Sequence, residues 1–295
     1  ILNNTGKTEF NLAWYNGNLM LTLETLGLPN GLSYSTSKNY TVHLPSPEIT
    51  SPIEDSIVIN AGDAVYFSSV DFSEEGITYY WNFGNGTEIS GTDTEPGYID
   101  YFSAGTKTVK HWYKVNGFSS DTVEKIVKVN PLPQSVILNP LNDTTYLKLF
   151  AEIDLEGKSY DRQNVEYFWT YGKEDTLNGL IQENISYNQA GIYEIIFWYK
   201  YNSIIAEADR KIIIVNDLEP AKILTPAADT LIKIHDSLYF TGSEYEGTEE
   251  NILYEWIFSD DLIIQSQNPE YVTFDSPGLY NVQYHYIVNG TESQG

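Results

Sequence analysis

Three tryptophans, Trp81, Trp169 and Trp256, stand 88 and 87 residues apart, and each has an aromatic residue two positions before and two after it. The three stretches read TYYWNFGNG, VEYFWTYGK and ILYEWIFSD. A period of two points the three rings of each stretch to one face of a strand. Rings gathered in this way either bind a flat ligand or fill a core, and each buried tryptophan contributes up to about 250 Å² of buried surface. We interpret these rings as the core anchors of three repeated units.

The neighbours of these residues form a second aromatic set. Counting in steps of two from Gly105, Gly191 and Gly278 assigns nine residues to the inner face: Val109, His111, Tyr113, Ile195, Phe197, Tyr199, Val282, Tyr284 and Tyr286. Because neighbours in a strand alternate, the opposite face takes five others: Tyr80, Trp112, Phe168, Trp198 and His285. These outward rings would pair across strands and shield the sheet, pack against another module, or stack on sugar rings.

Acidic residues recur just before each Trp-bearing strand. They are Asp71, Glu74 and Glu75; Asp154, Glu156 and Asp161; and Glu244, Glu246, Glu249 and Glu250. Carboxylates on a loop are the oxygen ligands that Ca²⁺ takes in sets of six to eight, and calcium would also relieve the repulsion of a chain with a net charge of −25. The spacing is not that of an EF-hand, so a solvated acidic loop is the alternative to a calcium site.

Other patterns give no sign of catalysis. The four histidines have no metal-like neighbours, and His235 occupies the turn position that Gly62 holds in the first unit. The sequence contains no nucleophile elbow, phosphate loop or His-Glu-x-x-His motif, so we predict no enzyme. Asn-x-Ser/Thr sequons would accept N-glycans in a host that glycosylates, although their number is close to chance. They lie at Asn3, Asn39, Asn85, Asn142, Asn184 and Asn289.

The elements that position these residues repeat along the chain. A proline opens each unit at Pro52, Pro140 and Pro226, and a last strand reads EKIVKVN in the first unit and RKIIIVN in the second. Short β-rich units of about 87 residues with a central tryptophan predict an all-β chain of tandem immunoglobulin-like antiparallel β-sandwiches in an elongated array. We predict the C-terminal strands of a preceding unit over 1–45, then sandwiches over 46–131, 132–218 and 219–295, the last without its final strand.

Composition limits the classes of molecule that the chain is expected to bind. Sixteen basic and 41 acidic residues repel phosphate backbones and anionic lipids, so neither nucleic acid nor direct membrane insertion is expected. The chain has no cysteine, which removes disulfides and thiolate chemistry, and no apolar run long enough for a membrane helix. It begins with Ile rather than Met and reads as a processed protein or a piece of a longer one.

The stretch YYWNFGNG followed by AGTKTV resembles the polycystic kidney disease (PKD) repeat, whose signature is Trp-Asp-Phe-Gly-Asp-Gly followed by a Gly-x-Tyr-x-Val strand. The resemblance covers 46–295 and is best in the first unit, where Asn82 and Asn85 replace the two aspartates. It implies an extracellular or cell-surface β-sandwich module, often in tandem. Such modules are spacers, adhesive units, parts of surface layers, or accessory domains of secreted hydrolases. It implies no catalytic residues.

The prediction for function is therefore a structural or adhesive array in a surface or surface-layer protein, which contacts neighbouring modules or other copies of itself. The alternative is a carbohydrate-binding or accessory module of a secreted hydrolase. A third hypothesis is strand exchange, in which an N-terminal spare strand fills the open sheet edge of the last sandwich in another subunit. A cut within a longer array explains the same chain ends.

Overall fold

A computed structural model describes residues 17–25, 34–72, 75–259 and 262–294. The described residues form 27 strands and no helix. The chain divides into two compact units, Ile1–Pro133 with Lys200–Ala206 and Gln134–Tyr199 with Glu207–Gly295. None of the described residues belongs to a helix that would span a lipid bilayer. The predicted fold class is confirmed: the chain is all-β, in tandem immunoglobulin-like antiparallel sandwiches.

The N-terminal segment contains one antiparallel hairpin. Its strands are β1 (Gly17–Thr25) and β2 (Tyr34–Val42). Residues 1–16 and 26–33 lie outside the described residues. The predicted partial unit over 1–45 is therefore only partly described.

The first sandwich contains nine strands. They are β3 (Ile49–Ser51), β4 (Ser56–Asn60), β5 (Ala64–Ser69), β6 (Thr78–Asn82), β7 (Glu88–Gly91), β8 (Gly97–Asp100), β9 (Gly105–Val115), β10 (Phe118–Ser119) and β11 (Val123–Asn130). One sheet has the order β4-β11-β9-β6-β7 with β10 on β9, and the other has the order β3-β5-β8. Phe67 of the smaller sheet meets Trp81 of the larger sheet at a ring-centroid distance of 6.0 Å. The core therefore lies between the two sheets.

The second sandwich repeats this topology. Its strands are β12 (Ile137–Asn139), β13 (Thr144–Lys148), β14 (Ile153–Gly157), β15 (Val165–Thr170), β16 (Leu177–Asn178), β17 (Ile181–Ile185), β18 (Gly191–Tyr201), β19 (Ile204–Ile205) and β20 (Asp209–Asn216). The sheets have the orders β13-β20-β18-β15-β16, with β19 on β18, and β12-β14-β17. In both sandwiches the last strand lies between an antiparallel and a parallel neighbour.

The third sandwich has a smaller large sheet. Its strands are β21 (Ile223–Thr225), β22 (Ser237–Gly242), β23 (Ile252–Phe258), β24 (Leu262–Ile264), β25 (Glu270–Thr273), β26 (Val282–Val288) and β27 (Thr291–Glu292). The sheets have the orders β24-β23-β26-β27 and β21-β22-β25. The described residues supply no counterpart of β11 or β20 here.

The predicted inner face is the buried one. All three central tryptophans are buried, as are the inner-face residues of β9 and β18 and, on β26, Tyr284 and Tyr286; Val282 is half-buried. The turn predicted at Gly62 and His235 is also confirmed, since both residues have a left-handed φ, of 91° and 66°. Glycine adopts this conformation without strain, whereas the histidine there must tolerate it.

Candidate functional site

The outward aromatic residues of the first two sandwiches form cross-strand stacks. Tyr80 of β6 lies opposite Trp112 of β9, with ring centroids 5.3 Å apart and an interplanar angle of 7°. Phe168 and Trp198 repeat the arrangement in the second sandwich, with ring centroids 5.6 Å apart and an interplanar angle of 14°. All four residues are half-buried. The structure thus brings the predicted outward residues together in two matching pairs.

Stacking reduces the ring surface that is available to a ligand. Each ring uses one face on its partner, and Lys114 Nζ lies 5.2 Å from the centroid of the Tyr80 ring. Cross-strand aromatic pairs of this kind stabilise a sheet by about 0.2 to 1 kcal/mol. The pairs therefore shield the outer face of the sheet, and their half-buried rings remain partly exposed.

The third sandwich replaces the aromatic pair with an imidazole and a carboxylate. His285 is paired across the strands with Glu255, and its Nε2 lies 3.2 Å from Glu255 Oε2. Only 9% of His285 is exposed. The residue is on the predicted face but is not an exposed platform, because its polar contact with Glu255 holds the ring down on the sheet.

The first sandwich contains a buried histidine under its tryptophan. His111 is completely buried, its ring centroid lies 4.0 Å from that of Trp81, and its Nδ1 lies 3.0 Å from the Tyr80 carbonyl oxygen. Burial lowers the pKa of His111 to about 4, although the hydrogen bond to Tyr80 acts in the opposite direction. The imidazole is therefore neutral at pH 7 and serves as a core ring.

The indole nitrogens of the three central tryptophans differ in their hydrogen bonding. Trp169 Nε1 donates to the Gly179 carbonyl at 3.1 Å, and Trp256 Nε1 donates to that of Gln267 at 3.2 Å. Among the described residues, Trp81 Nε1 has no hydrogen-bond partner, and neither has His111 Nε2. A buried donor without a partner costs about 1 to 3 kcal/mol. The first core thus carries a polar cost at its tryptophan that the other two do not carry at theirs.

Two buried lysines hold the last strands of the first two sandwiches, and neither residue was among the predicted site residues. Lys125 of β11 is 9% exposed, and its Nζ donates to the carbonyls of Ile53 and Glu54 at 2.6 and 3.1 Å. Its Nζ also lies 3.5 Å from a carboxylate oxygen of Asp55. A buried ammonium needs this many acceptors to offset its lost hydration.

Lys211 of β20 repeats the arrangement. It is 7% exposed, and its Nζ donates to the carbonyls of Ile137, Pro140 and Leu141 at 3.2, 2.6 and 2.8 Å. The sequence signal was the lysine shared by EKIVKVN and RKIIIVN. In each of the first two sandwiches one ammonium therefore ties the last strand to the loop around the opening proline.

The first and third connectors are attached to the sandwiches that follow them. Each connector buries one leucine, at Leu44, Leu132 and Leu218. Tyr113 Oη donates to the Pro45 carbonyl at 2.7 Å, and Tyr286 Oη donates to the Glu219 carbonyl. A second contact at the third sandwich joins the Ala221 N–H to the Gln294 carbonyl at 2.8 Å. These segments are thus part of the folded structure rather than free linkers.

The predicted acidic residues form no metal site that the structure describes, and Asp154 and Glu156 lie on strand β14 rather than on a loop. Glu249 is half-buried, Glu74 lies outside the described residues, and the other predicted acidic residues are exposed. Asp71 accepts a hydrogen bond from Tyr79 Oη at 3.1 Å. Within the described ranges no three His, Asp or Glu side chains come together as a metal site. Calcium binding therefore stays a prediction.

The sequons differ in their surroundings. Asn85 is half-buried, and its side-chain amide donates to the Asp100 carbonyl at 2.9 Å. Asn3 lies outside the described residues. The remaining four are exposed: Asn39, Asn142, Asn184 and Asn289. Glycosylation of these sites stays a prediction.

Comparisons with known proteins give structural neighbours only. No protein-family profile and no curated protein matches the chain. The fibronectin(III)-like modules of CbhA from Clostridium thermocellum are 14% identical, with 58% of this chain and 94% of theirs covered and a TM-score of 0.26. An I-band fragment of titin is 11% identical, with 85% and 96% covered and a TM-score of 0.32. A Bacteroides ovatus mixed-linkage glucan utilisation protein, SGBP-B, solved with a heptasaccharide, is 14% identical, with 85% and 66% covered and a TM-score of 0.23.

Proposed function

We propose that the chain is a non-catalytic array of PKD-like modules in a cell-surface or surface-layer protein, where it acts as a spacer and makes contacts with neighbouring modules or other copies. The observation that carries the proposal is the attachment of the connectors. A leucine is buried in each connector, and tyrosine hydroxyls bind connector carbonyls in the first and third sandwiches. Buried connectors restrict the hinge motion that a free linker would permit.

The net charge in this proposal limits the classes of partner. The chain has no cysteine and a net charge of −25, which favours solubility and disfavours binding to nucleic acid. The PKD-like signature around Trp81 adds the family expectation of a surface module. None of these features requires chemistry at a catalytic centre.

Distances between spin labels would test the spacer role. Because the chain has no cysteine, Glu183→Cys and Asn268→Cys introduce two unique labelling sites on exposed residues of the second and third sandwiches. We expect one narrow distance distribution, which Tyr286→Phe broadens because the bond to Glu219 is lost. Tyr239→Phe, on a more exposed tyrosine, is the matched control and should change nothing. A distribution as broad as that of a flexible linker before any substitution would contradict the proposal.

The alternative function is carbohydrate binding at the outward aromatic pairs. The observation in its favour is that two sandwiches repeat the same half-buried stack, Tyr80 with Trp112 and Phe168 with Trp198. Affinity electrophoresis in gels containing soluble polysaccharides tests it. Retarded migration of the parent chain that is lost in the Trp112→Ala, Trp198→Ala double variant would favour glycan binding. Unretarded migration of the parent chain would count against glycan binding and favour the spacer role.

A further inference from the structure

Two exposed tyrosines lie side by side on the outer face of the small sheet of the first sandwich. Tyr66 of β5 is paired with Tyr98 of β8, and their ring centroids are 5.2 Å apart with an interplanar angle of 62°. Tyr98 is the more exposed of the two, at 75%. We call them the first-sandwich tyrosine pair. Exposed aromatic residues that lie together indicate a contact surface.

The third sandwich contains a matching pair of rings, the third-sandwich tyrosine pair. Tyr239 of β22 is paired with Tyr271 of β25, with ring centroids 5.1 Å apart and an interplanar angle of 58°. Tyr271 is 71% exposed, close to the value for Tyr98. The second sandwich has Asp154 and Asn184 at these positions and therefore no rings. The same ring geometry thus occurs twice, which separates the effect of the rings from that of their surroundings.

The charges around the two pairs differ. The segments that contain Tyr98 and Tyr271 read DTEPGYID and SQNPEYVT and align without a gap. The first segment has three acidic residues where the second has neutral ones: Asp93, Glu95 and Asp100 correspond to Ser266, Asn268 and Thr273. The second segment has one acidic residue of its own, Glu270, in place of Gly97, and neither segment contains Lys or Arg. The first-sandwich pair therefore has the more acidic surroundings.

Two carboxylates lie close to the rings of the first-sandwich pair. Tyr66 Oη donates to Glu95 Oε2 at 3.1 Å. This hydrogen bond raises the pKa of Tyr66, and the carboxylate of Asp93 acts in the same direction. Asp100 follows Tyr98 by two residues on β8, and side chains two positions apart share a face of a strand. Negative charge is thus present both at the hydroxyl end of Tyr66 and beside Tyr98.

Rings and carboxylates together favour a planar cation as the ligand. The face of a tyrosine ring attracts cations. A guanidinium group is planar, stacks on aromatic faces and donates paired N–H groups to a carboxylate, whereas an ammonium group is a compact point charge. The carboxylates and the net charge of −25 disfavour an anionic ligand. A neutral ligand would gain from the rings alone and would bind both tyrosine pairs equally.

We propose that the first-sandwich tyrosine pair binds arginine side chains of a basic segment of a partner protein. The guanidinium group stacks on Tyr98, the more exposed ring, and donates to Glu95 beside Tyr66. The third-sandwich pair has Asn268 at the position of Glu95 and binds such a segment more weakly. This inference goes beyond the proposed spacer role and does not depend on it.

NMR of the tyrosine rings in the full chain reads both pairs in one titration. The probe is a peptide GRGRG with blocked ends; its controls are GKGKG, with the same charge, and a neutral peptide with citrulline in place of arginine. The substitutions Tyr98→Phe and Tyr271→Phe assign the two signals. The Tyr98 signal should shift at concentrations of GRGRG about three to ten times lower than the Tyr271 signal needs. The lysine peptide should bind more weakly at Tyr98, and the citrulline peptide should not distinguish the pairs.

Exchanging side chains between the two pairs provides the matched variants. Glu95→Asn with Asp100→Thr should lower the affinity of the first-sandwich pair for GRGRG to that of the third-sandwich pair. Asn268→Glu with Thr273→Asp should raise the affinity of the third-sandwich pair by a similar factor. All four positions are exposed, so both variants should keep the fold, and circular dichroism checks this.

The titrations decide the proposal. Equal affinities of the two pairs for GRGRG in the parent chain would overturn it, as would the absence of any shift at Tyr98. Equal binding of the arginine and citrulline peptides would also overturn it and would indicate a neutral ligand. Equal binding of the arginine and lysine peptides would overturn the stacking of the guanidinium group. A gain at the third-sandwich pair after the exchange would support the role of the carboxylates.

Discussion

Beneath the central tryptophan, the first sandwich has Ser69 and His111 where the second has Gly157 and Phe197. The Phe197 ring lies so close to Gly157 that an added Cβ would overlap it. The smaller imidazole of His111 leaves space for the Ser69 side chain, which is buried. Ring size on one sheet is thus matched to side-chain size on the other.

The third sandwich has the same glycine-and-ring packing as the second. Gly242 lies under the Tyr284 ring, and a Cβ there would overlap that ring as well. The tyrosine hydroxyl donates to the Ser243 carbonyl at 2.6 Å. The two positions therefore change together, because close-packed cores tolerate a larger side chain only where a neighbour is smaller. It also leaves the first sandwich alone with an imidazole, a ring that titrates at acidic pH, in this place.

The largest expected effect is a loss of folding stability at acidic pH that is confined to the first sandwich. Folded His111 has a pKa lowered by burial to about 4, against 6.5 in the unfolded chain, so the unfolded state binds more protons between these values. The free energy of unfolding should therefore fall by about 3 kcal/mol as the pH drops from 6.5 to 4. Fluorotryptophan NMR in denaturant reads each sandwich at its own buried tryptophan.

The control for this measurement converts the first core into the second. The Ser69→Gly, His111→Phe double variant should lose the extra pH dependence, since phenylalanine does not titrate. Carboxylates elsewhere titrate in both proteins and cancel in the difference. An equal loss of stability in the parent and the double variant would show that His111 is not responsible.

Adding one methyl group at these glycines should destabilise the second and third sandwiches, whereas the equivalent change in the first sandwich should have little effect. Gly157→Ala and Gly242→Ala should each destabilise their own sandwich by about 2 to 3 kcal/mol, because the new Cβ overlaps an aromatic ring. Ser69→Ala keeps a Cβ that the first core already accommodates and should cost less than about 1 kcal/mol. Sandwich-resolved denaturant unfolding checks both, and a harmless Gly157→Ala would refute the packing argument.

The indole hydrogen bonds predict a smaller difference. Trp169→Phe should cost about 1 kcal/mol more than Trp81→Phe, because Trp169 loses its bond to Gly179 and Trp81 has no such bond among the described residues. Hydrogen exchange of buried amides in β18 and β9 gives the two local stabilities. A larger loss for Trp81→Phe would contradict the assignment.

The smallest effect is expected on the outer face. Trp112→Ala should destabilise the first sandwich by about 0.5 to 1 kcal/mol through the lost stack with Tyr80. The corresponding Trp198→Ala should have a similar cost, since its stack with Phe168 has nearly the same geometry. Thermal unfolding followed by circular dichroism is sensitive enough, and a cost of several kcal/mol would mean that these rings belong to the core.

The sequence was sufficient for the fold class and the two faces of the central strands. The period-two spacing around Trp81 and the count from Gly105 depend only on strand geometry, which is why the predicted inner residues are buried. The same count predicted His285 on the outer face but did not show its burial, because burial there follows from the contact with Glu255.

The lysines and connector tyrosines could not be predicted in the same way. Lys125 is held by carbonyls of residues about 70 positions earlier in the chain, so its burial depends on tertiary structure. The bond from Tyr113 to Pro45 likewise joins distant positions. A repeated residue type marked both places, but a backbone acceptor leaves no pattern in a sequence.

The buried lysines also fix the alignment of the strands that carry them. A slip of β11 by two residues would keep every side chain on its own face but would place Val127 instead of Lys125 at the carbonyl group, because side chains two positions apart share a face. The slipped strand would retain most of its backbone bonds and apolar contacts, so those interactions discriminate weakly between alignments. One ammonium surrounded by oxygen atoms therefore acts as a position marker, which selects a single pairing for the strand that completes the sandwich.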